Sequence, residues 1–245
     1  MLTDAPPSLP ATRSALQQVA VHVLARRRHA YTERFGLLPA PGGIATPAFG
    51  DDIEIVRTSG RFLVVERSGF TTSAPITTLA AAAELVGVDL GLEFAVGGST
   101  PPMAEPAAPL GVDDEAARAV ADWWAFGQSV IDEVAASTPS VTAATRVQLW
   151  PEHFDVGGTI TVSGDGGTDA GPRLNLGASP GDTFEPYPYL YLSPWAGERP
   201  GDPGFWNASF GAVLRHAEVA KLDGPDQRAV ALAFLRRGLA MFERP

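Results

Sequence analysis

Cysteine is absent from the 245 residues of this chain. Disulfides, thiolate metal sites, iron–sulfur clusters and a cysteine nucleophile are therefore excluded together, and packing must supply the stability. Long apolar runs are lacking too, because no segment approaches the ~18 consecutive apolar residues of a membrane-spanning helix. The start of the chain shows neither a basic segment nor an apolar run before a cleavage site, so we expect a soluble, cytoplasmic protein.

Positive charge is scarce, since the chain has 18 Lys and Arg residues and 28 Asp and Glu residues, which gives a net charge of −10. An acidic surface repels phosphate backbones and anionic lipid headgroups, so neither nucleic acid nor a membrane is expected as a partner. Hydrophobic residues make up 45% of the chain. This composition is typical of a folded protein with a substantial core rather than of a disordered chain.

Motifs for several common chemistries are missing as well. There is no GxSxG nucleophile elbow, no Walker A loop and no GxGxxG segment after a predicted strand. Asp165 and Asp169 in "GDGGTD" resemble part of a calcium loop, but glycine occupies the middle oxygen position, so this segment is interpreted as a hairpin tip. The sequence therefore identifies neither a reaction nor a cofactor.

Residues 1–95 predict an α-β-β-α portion. Helical spacing of apolar residues indicates an amphipathic helix from Thr12 to Tyr31, with His22 on its polar flank and a solvated basic end at 26–28. The Pro- and Gly-rich segment 37–50 predicts a loop. The next segment, "DIEIVRTSGRFLVVE", predicts a hairpin.

A second helix is predicted in "PITTLAAAAELVG", with Thr77 or Thr78 capping its start and Gly87 just past its end. Residues 96–111 are rich in proline, alanine and glycine and are interpreted as a linker. Residues 112–245 then predict a long helix that opens at Asp113, a four-stranded antiparallel sheet and a closing helix. The predicted strands are 146–162, 172–178, 187–194 and 208–216. The expected fold class is α+β, with mostly antiparallel sheets flanked by helices and two packed halves.

Alternation along these strands separates a leucine face from a polar face, because successive side chains point to opposite sides of a sheet. Leu174, Leu176, Leu190 and Leu192 mark the core side. The polar side is predicted to carry His153, Asp155, Arg173, Asn175, Tyr187, Tyr189, Tyr191 and Trp195.

This polar face is the candidate site for a small molecule. His153 would serve as a general base and Asp155 would orient its ring or raise its pKa. The predicted catalytic set is His153, Asp155, Asp182 and Glu185. The predicted ligand-binding set is Arg173, Asn175, Tyr187, Tyr189, Tyr191, Trp195 and Trp206. No metal site is predicted, since nothing matches a ligand spacing such as HExxH.

Two structural alternatives stay open for the same residues. In the first alternative, the N-terminal half or a second subunit covers the polar face, and tyrosine then buries its ring and satisfies its hydroxyl. Otherwise the protein is an interaction module, a homodimer whose contacts are the aromatic residues of the loop from Trp195 to Trp206.

Several short motifs occur in one order across residues 149–243. They are "PEHFD", "LGASPGD", "EPYPYLYLSPW" and a "FW" pair before the last strand. In this order they resemble a bacterial family of unknown function, of actinobacterial type, with HFD, SPGD and EPYxY motifs. The resemblance groups 153–155, 179–182 and 185–187 together, and Pro188 departs from its pattern by interrupting the predicted strand 187–194. It implies a grouping of residues and no activity.

Overall fold

The computed structural model describes residues 1–163 and 171–243, and its architecture is α+β, as the sequence predicts. The helices are α1 (Leu9–Val19), α2 (Arg26–Thr32), α3 (Leu79–Val86), α4 (Asp114–Ser137), α5 (His216–Val219) and α6 (Gly224–Ala240). The strands are β1 (Leu38–Ala40), β2 (Gly43–Ala45), β3 (Ile55–Ser59), β4 (Phe62–Arg67), β5 (Phe70–Pro75), β6 (Val141–Ala144), β7 (Gln148–Trp150), β8 (Asp155–Val162), β9 (Arg173–Ser179), β10 (Tyr189–Pro194) and β11 (Ala212–Arg215). The predicted hairpin tip with Asp165 and Asp169 lies outside the described residues.

The chain divides into two compact units. The N-terminal unit comprises Pro6–Asp122 and Gln148–Asp155. The C-terminal unit comprises Met1–Ala5, Trp123–Val147 and Val156–Pro245. No helix among the described residues has the length and apolar character needed to cross a membrane.

The sheet of the N-terminal unit has five antiparallel strands in the order β1-β2-β3-β4-β5. The predicted hairpin is its β3–β4 pair. The prediction of a loop at 37–50 is wrong in part, because β1 and β2 form there despite the prolines. Leu37 and Leu149 exchange two backbone hydrogen bonds of 2.9 Å next to β1, so the chain itself covers that edge.

The first helix departs from the prediction of a solvated basic end. A π-helical segment, Ala20–Ala25, joins α1 to α2, and it buries His22 instead of leaving it on a polar flank. Arg26 donates to the backbone carbonyls of Asp89 and Leu92, and Arg28 donates to that of Gly36. The arginines are therefore used as internal anchors for loops.

The predicted capping residues occupy their expected places. The side chain of Thr78 accepts a hydrogen bond from the Ala81 N–H at the start of α3, and Gly87 follows the helix with a positive φ of 73°. At α4, Oδ1 of Asp113 accepts from the Ala116 N–H at 2.9 Å. These local predictions succeed because a cap depends on a few adjacent residues only.

In the C-terminal unit the strands lie in the order β11-β10-β9-β8-β6, and all of these neighbours are antiparallel. The leucine face is fully buried, with zero exposure for Leu174, Leu176, Ala178, Leu190 and Leu192. Helix α4 lies on this face at Gly127, against Ala178 and Leu190, and helix α6 lies on it at Gly238, against Leu192. The opposite face is therefore left for polar and aromatic side chains.

Candidate functional site

The polar face of the C-terminal sheet follows the predicted alternation on β9 and β10. Asn175 lies opposite Thr159 of β8 and opposite Ser193 of β10, so these three polar residues form one row across three strands. Arg173 precedes this row on β9, and Trp195 follows β10 at the same end. The row and its two neighbours supply the components of a surface site.

Trp195 is exposed over 55% of its surface, yet it is fixed from two directions. The guanidinium carbon of Arg173 lies 3.6 Å from the centre of its ring, and its indole Nε1–H donates to Oδ1 of Asn175 at 2.7 Å. Its backbone N–H also donates to the Arg173 carbonyl at 2.9 Å. An exposed aromatic ring held in this way is preorganised for stacking, because little further side-chain freedom is lost on binding.

The amide of Asn175 has its orientation set by its neighbours. An indole N–H can only donate, so the atom facing it must be the amide oxygen. The Thr159 hydroxyl donates to the same oxygen at 2.8 Å. The two N–H donors of Asn175 have no partner among the described residues, and they remain available to a ligand beside Trp195.

Two of the three tyrosines predicted to bind a ligand, Tyr189 and Tyr191, pack against other residues of the C-terminal unit. Tyr189 is 3% exposed, and its ring centre lies 5.8 Å from that of Phe184 and 6.4 Å from that of Phe210. Tyr191 lies over Gly177, where a Cβ atom would come within 2.3 Å of the ring. Glycine on a strand leaves the space that an aromatic neighbour fills. Of the three tyrosines, only Tyr187 is classed as exposed.

Asp182 and Glu185 shape the loop before β10. Oδ1 of Asp182 accepts the N–H groups of Phe184 and Glu185 at 2.8 and 3.1 Å, and Oδ2 accepts the Tyr189 hydroxyl at 2.6 Å. Glu185 pairs with Arg215 at 2.8 Å. Gly181, in the "SPGD" segment just before, has a positive φ of 105°.

His153 and Asp155 do not share a strand face, so the prediction of one strand over 146–162 is wrong. The segment 151–154 is a turn between β7 and β8, and His153 lies exposed within it. Pro151 has no N–H to donate, and Phe154 adopts a positive φ of 58°, which breaks the alternation. Asp155 is buried at the start of β8. Both residues belong to the N-terminal unit, whereas Asp182 and Glu185 belong to the C-terminal unit.

The loop from Trp195 to Trp206 does not expose all of its aromatic residues. Trp206 is 9% exposed, donates its indole N–H to the Pro200 carbonyl at 2.9 Å and meets Phe242 edge to face. Phe205 is buried against Phe234. Trp195 is therefore the one of these three loop aromatics that is presented to solvent.

The sequence does not predict the burial around two titratable groups of the N-terminal unit, His22 and Glu152. Burial lowers the pKa of His22, and its Nε2 has no hydrogen-bond partner among the described residues. Burial raises the pKa of Glu152, whose Oε2 is likewise buried without a partner within the described part of the chain. His22 stands in no recognisable motif, and Glu152 is part of the "PEHFD" segment without a role predicted for it. In the described part of the chain no group of three or more His, Asp or Glu is arranged to hold a metal ion.

The protein is expected to lose stability as the pH falls below about 6.5. Burial lowers the pKa of both His22 and His216 from 6.5, and nearby Arg26 lowers that of His22 further, while Asp4 opposes the shift at His216. Below 6.5 the unfolded chain then binds more protons than the folded one, so this stability is present above 6.5 and is lost as the pH falls.

Melting temperatures at about pH 7.5 and about pH 5.5 measure this effect. His22→Gln and His216→Gln are each expected to reduce the difference between the two temperatures. His153→Gln is the matched control, because it removes an exposed imidazole from a turn. A double variant, His22→Gln with His216→Gln, that kept the full wild-type difference would contradict the assignment.

Comparison with known proteins supplies no relative, since no family model, no curated protein and no solved structure matches the chain. The resemblance to the bacterial family with HFD, SPGD and EPYxY motifs therefore stays a prediction.

Proposed function

We propose that this is a small-molecule-binding protein whose C-terminal unit holds a saccharide against Trp195. The observation that carries the proposal is the exposed indole ring fixed by Arg173 on one side and by Asn175 at its edge. Burying a tryptophan side chain is normally favourable because its apolar surface leaves water. Here the contacts with Arg173 and Asn175 hold the ring at the surface. We call Trp195, Arg173, Asn175 and Thr159 the tryptophan platform.

The platform combines a flat apolar surface with hydrogen-bond donors at its rim. The exposed part of the indole offers a stacking surface, the Asn175 amide offers two N–H donors, and the guanidinium of Arg173 offers several more. A sugar ring has a matching shape, since its C–H face is flat and apolar and its rim carries oxygen acceptors. A saccharide therefore satisfies the stacking surface and the rim donors together.

The charge of the protein favours a neutral ligand. With a net charge of −10, the surface as a whole repels phosphorylated or polyanionic ligands. Arg173 is a single cation, and its charge is already directed at the indole ring. A neutral sugar meets no such repulsion, which is why a saccharide is preferred here to a nucleotide.

Catalysis is not required by this proposal. The Asp182 carboxylate is occupied by two backbone N–H groups and the Tyr189 hydroxyl, and Glu185 is paired with Arg215. These contacts support a loop. His153 and Asp155 are likewise not part of the tryptophan platform. We therefore assign the protein a binding function.

Binding is expected to fail when the platform loses its ring. A saccharide array identifies the ligand, and isothermal titration with the best sugar then measures affinity. Trp195→Ala is expected to weaken binding by about tenfold or more, the range for loss of an aromatic stacking partner. Tyr31→Ala is the matched control, because Tyr31 is exposed to a similar extent, 57%, and lies in the other unit.

Asn175→Asp tests the rim separately from the ring. The substitution keeps an oxygen that accepts the Trp195 N–H, and it removes both outward amide donors. We expect weaker binding with an unchanged fold by circular dichroism. If no sugar on the array binds wild type more tightly than Trp195→Ala, the saccharide proposal is wrong. If Trp195→Ala instead converts a wild-type dimer to a monomer, the loop from Trp195 to Trp206 is a dimer contact. This is the homodimer that the sequence left open as an alternative.

A further inference from the structure

Strand β5 is an edge strand that the rest of the N-terminal unit leaves open. It pairs with β4 on one side and stands last in the sheet order. Five of its six residues are exposed, and Phe70 is exposed over 80% of its surface. The opposite edge of the same sheet differs, since Leu149 bonds to Leu37 beside β1. The sheet thus has one covered edge and one open edge.

The open edge lacks the usual protection against pairing. Edge strands are normally kept apart by charged side chains, bulges or inward-pointing charges. The sequence of β5, "FTTSAP", contains no charged residue, although the chain as a whole carries a net charge of −10. Its register with β4 is regular from Phe70 to Pro75, so no bulge interrupts it. Proline appears only at the last position.

The backbone groups that point outward from β5 follow from its register. The Ile76 N–H donates to the Arg61 carbonyl at 2.8 Å, which makes that pair hydrogen-bonded. Hydrogen-bonded pairs alternate along an antiparallel ladder, so Thr72 bonds to β4 and Thr71 and Ser73 direct their N–H and C=O groups to the open side. Among the described residues, the four backbone groups of Thr71 and Ser73 therefore have no partner on the open side, which the Pro75 C=O also faces.

We infer that β5 pairs antiparallel with β5 of a second copy of this chain, about a two-fold axis at Thr72. In that register Thr71 of each copy exchanges two hydrogen bonds with Ser73 of the other, which satisfies the four outward groups of these two residues. Phe70 then lies opposite Ala74 at both ends, and Thr72 faces its own counterpart. Pro75 falls just beyond the paired region, where its missing N–H costs nothing.

A second copy fits better than an unrelated peptide because the strand is complementary to itself. A closed two-fold contact requires each residue to meet a suitable partner from the same segment. Here an exposed phenylalanine meets an alanine at both ends, and threonine meets threonine at the axis, a favourable cross-strand pair. With no charge on the strand, two acidic molecules approach at this edge without direct like-charge pairs.

The test is the mass in solution, measured by light scattering after size-exclusion chromatography. Wild type is expected to have twice the mass of the chain. Thr72→Lys and Thr72→Glu each place two like charges on the axis and are expected to halve that mass. Ala80→Lys is the matched control, because it adds the same charge at an exposed position of α3, and it is expected to remain a dimer.

Mixing the two charged variants tests the register itself. In equal amounts, Thr72→Lys and Thr72→Glu are expected to restore the double mass, because opposite charges then meet at the axis. Circular dichroism of each variant reports whether it is folded before mixing. A monomeric wild type, a dimer that survives both Thr72 substitutions, or a mixture that stays monomeric would each overturn the inference. Trp195→Ala is expected to keep the double mass, which separates this contact from the aromatic loop.

Discussion

Replacing Glu54 by glutamine is expected to lower the free energy of unfolding by about 3–5 kcal/mol, the cost of removing one partner from a buried ion pair. The Glu54 side chain is only 4% exposed, and its two oxygens lie 2.8 and 2.9 Å from Nε and Nη2 of Arg27. Arg67 donates to the same carboxylate at 2.7 Å. Without the carboxylate, the Arg27 guanidinium, 13% exposed, keeps a buried charge with no counter-ion in the part of the chain that the structure describes.

The control for this prediction is Glu66→Gln. Glu66 also pairs with an arginine, Arg57, at 2.7 Å, but 38% of its side chain is exposed, so its loss is expected to cost at most about 1 kcal/mol. Urea unfolding of both variants measures the difference. Equal losses in the two variants would show that the buried pair contributes no more than a surface pair.

Glu54 also makes the stability of the protein depend on pH. Burial by itself would raise the pKa of this carboxyl, but the hydrogen bonds from Arg27 and Arg67 outweigh it and hold the pKa below 4.5. The stability from this group is therefore present above pH 4.5 and is lost as the pH falls through the folded value. Glu54→Gln is expected to flatten the stability curve in that range.

This ion pair shows what the sequence alone does not reveal. The spacing of Arg26 to Arg28 is typical of a solvated helix end, and nothing local identifies Glu54 as a partner 27 residues further along. The burial of His22 has the same origin, since a π-helical segment turns it inward. Side-chain partners set by tertiary packing override a helical periodicity that spans only a few turns.

The polar face, in contrast, was predictable to a large extent. Leu174 and Leu176, and Leu190 and Leu192, alternate with polar residues, and full burial of one face fixes the register of both strands. The prediction fails at His153 because Pro151 and the left-handed Phe154 interrupt the strand. The sequence does not predict strand β5 for a different reason. Both faces of this strand are exposed, so it shows no alternation of hydrophobic and polar residues.

Within the candidate site, the sequence indicated the residues but not their arrangement. Arg173, Asn175 and Trp195 were all expected on the polar face. The stacking of Arg173 on Trp195 and the shared oxygen of Asn175 follow from strand register and from the path of the chain after β10. Of the three tyrosines predicted to bind a ligand, Tyr189 is buried and Tyr191 packs over Gly177, which leaves room for its ring, whereas Tyr187 is exposed.

Replacing Gly127 by alanine is expected to cost about 3 kcal/mol, the upper end of the usual range for overpacking a core. Helix α4 approaches the leucine face of the C-terminal sheet so closely here that a new Cβ atom would lie 2.2 Å from Cβ of Ala178. Both Cβ atoms are attached directly to backbone, so relief requires the helix to move away from the sheet. The intrinsic helix preference for alanine, about 1 kcal/mol, offsets only part of this cost.

Two further variants make the Gly127 prediction specific. Gly238→Ala on α6 is expected to cost less, because the atoms nearest its new Cβ are the ends of side chains, Cδ1 of Leu192 at 2.6 Å and Cζ of Phe205 at 3.1 Å, rather than atoms close to the backbone. Adding Ala178→Gly to Gly127→Ala exchanges the small residue between helix and sheet and is expected to recover much of the loss. Urea unfolding measures all three. If the exchanged pair is no more stable than Gly127→Ala alone, close approach at this point does not set the position of the helix on the sheet.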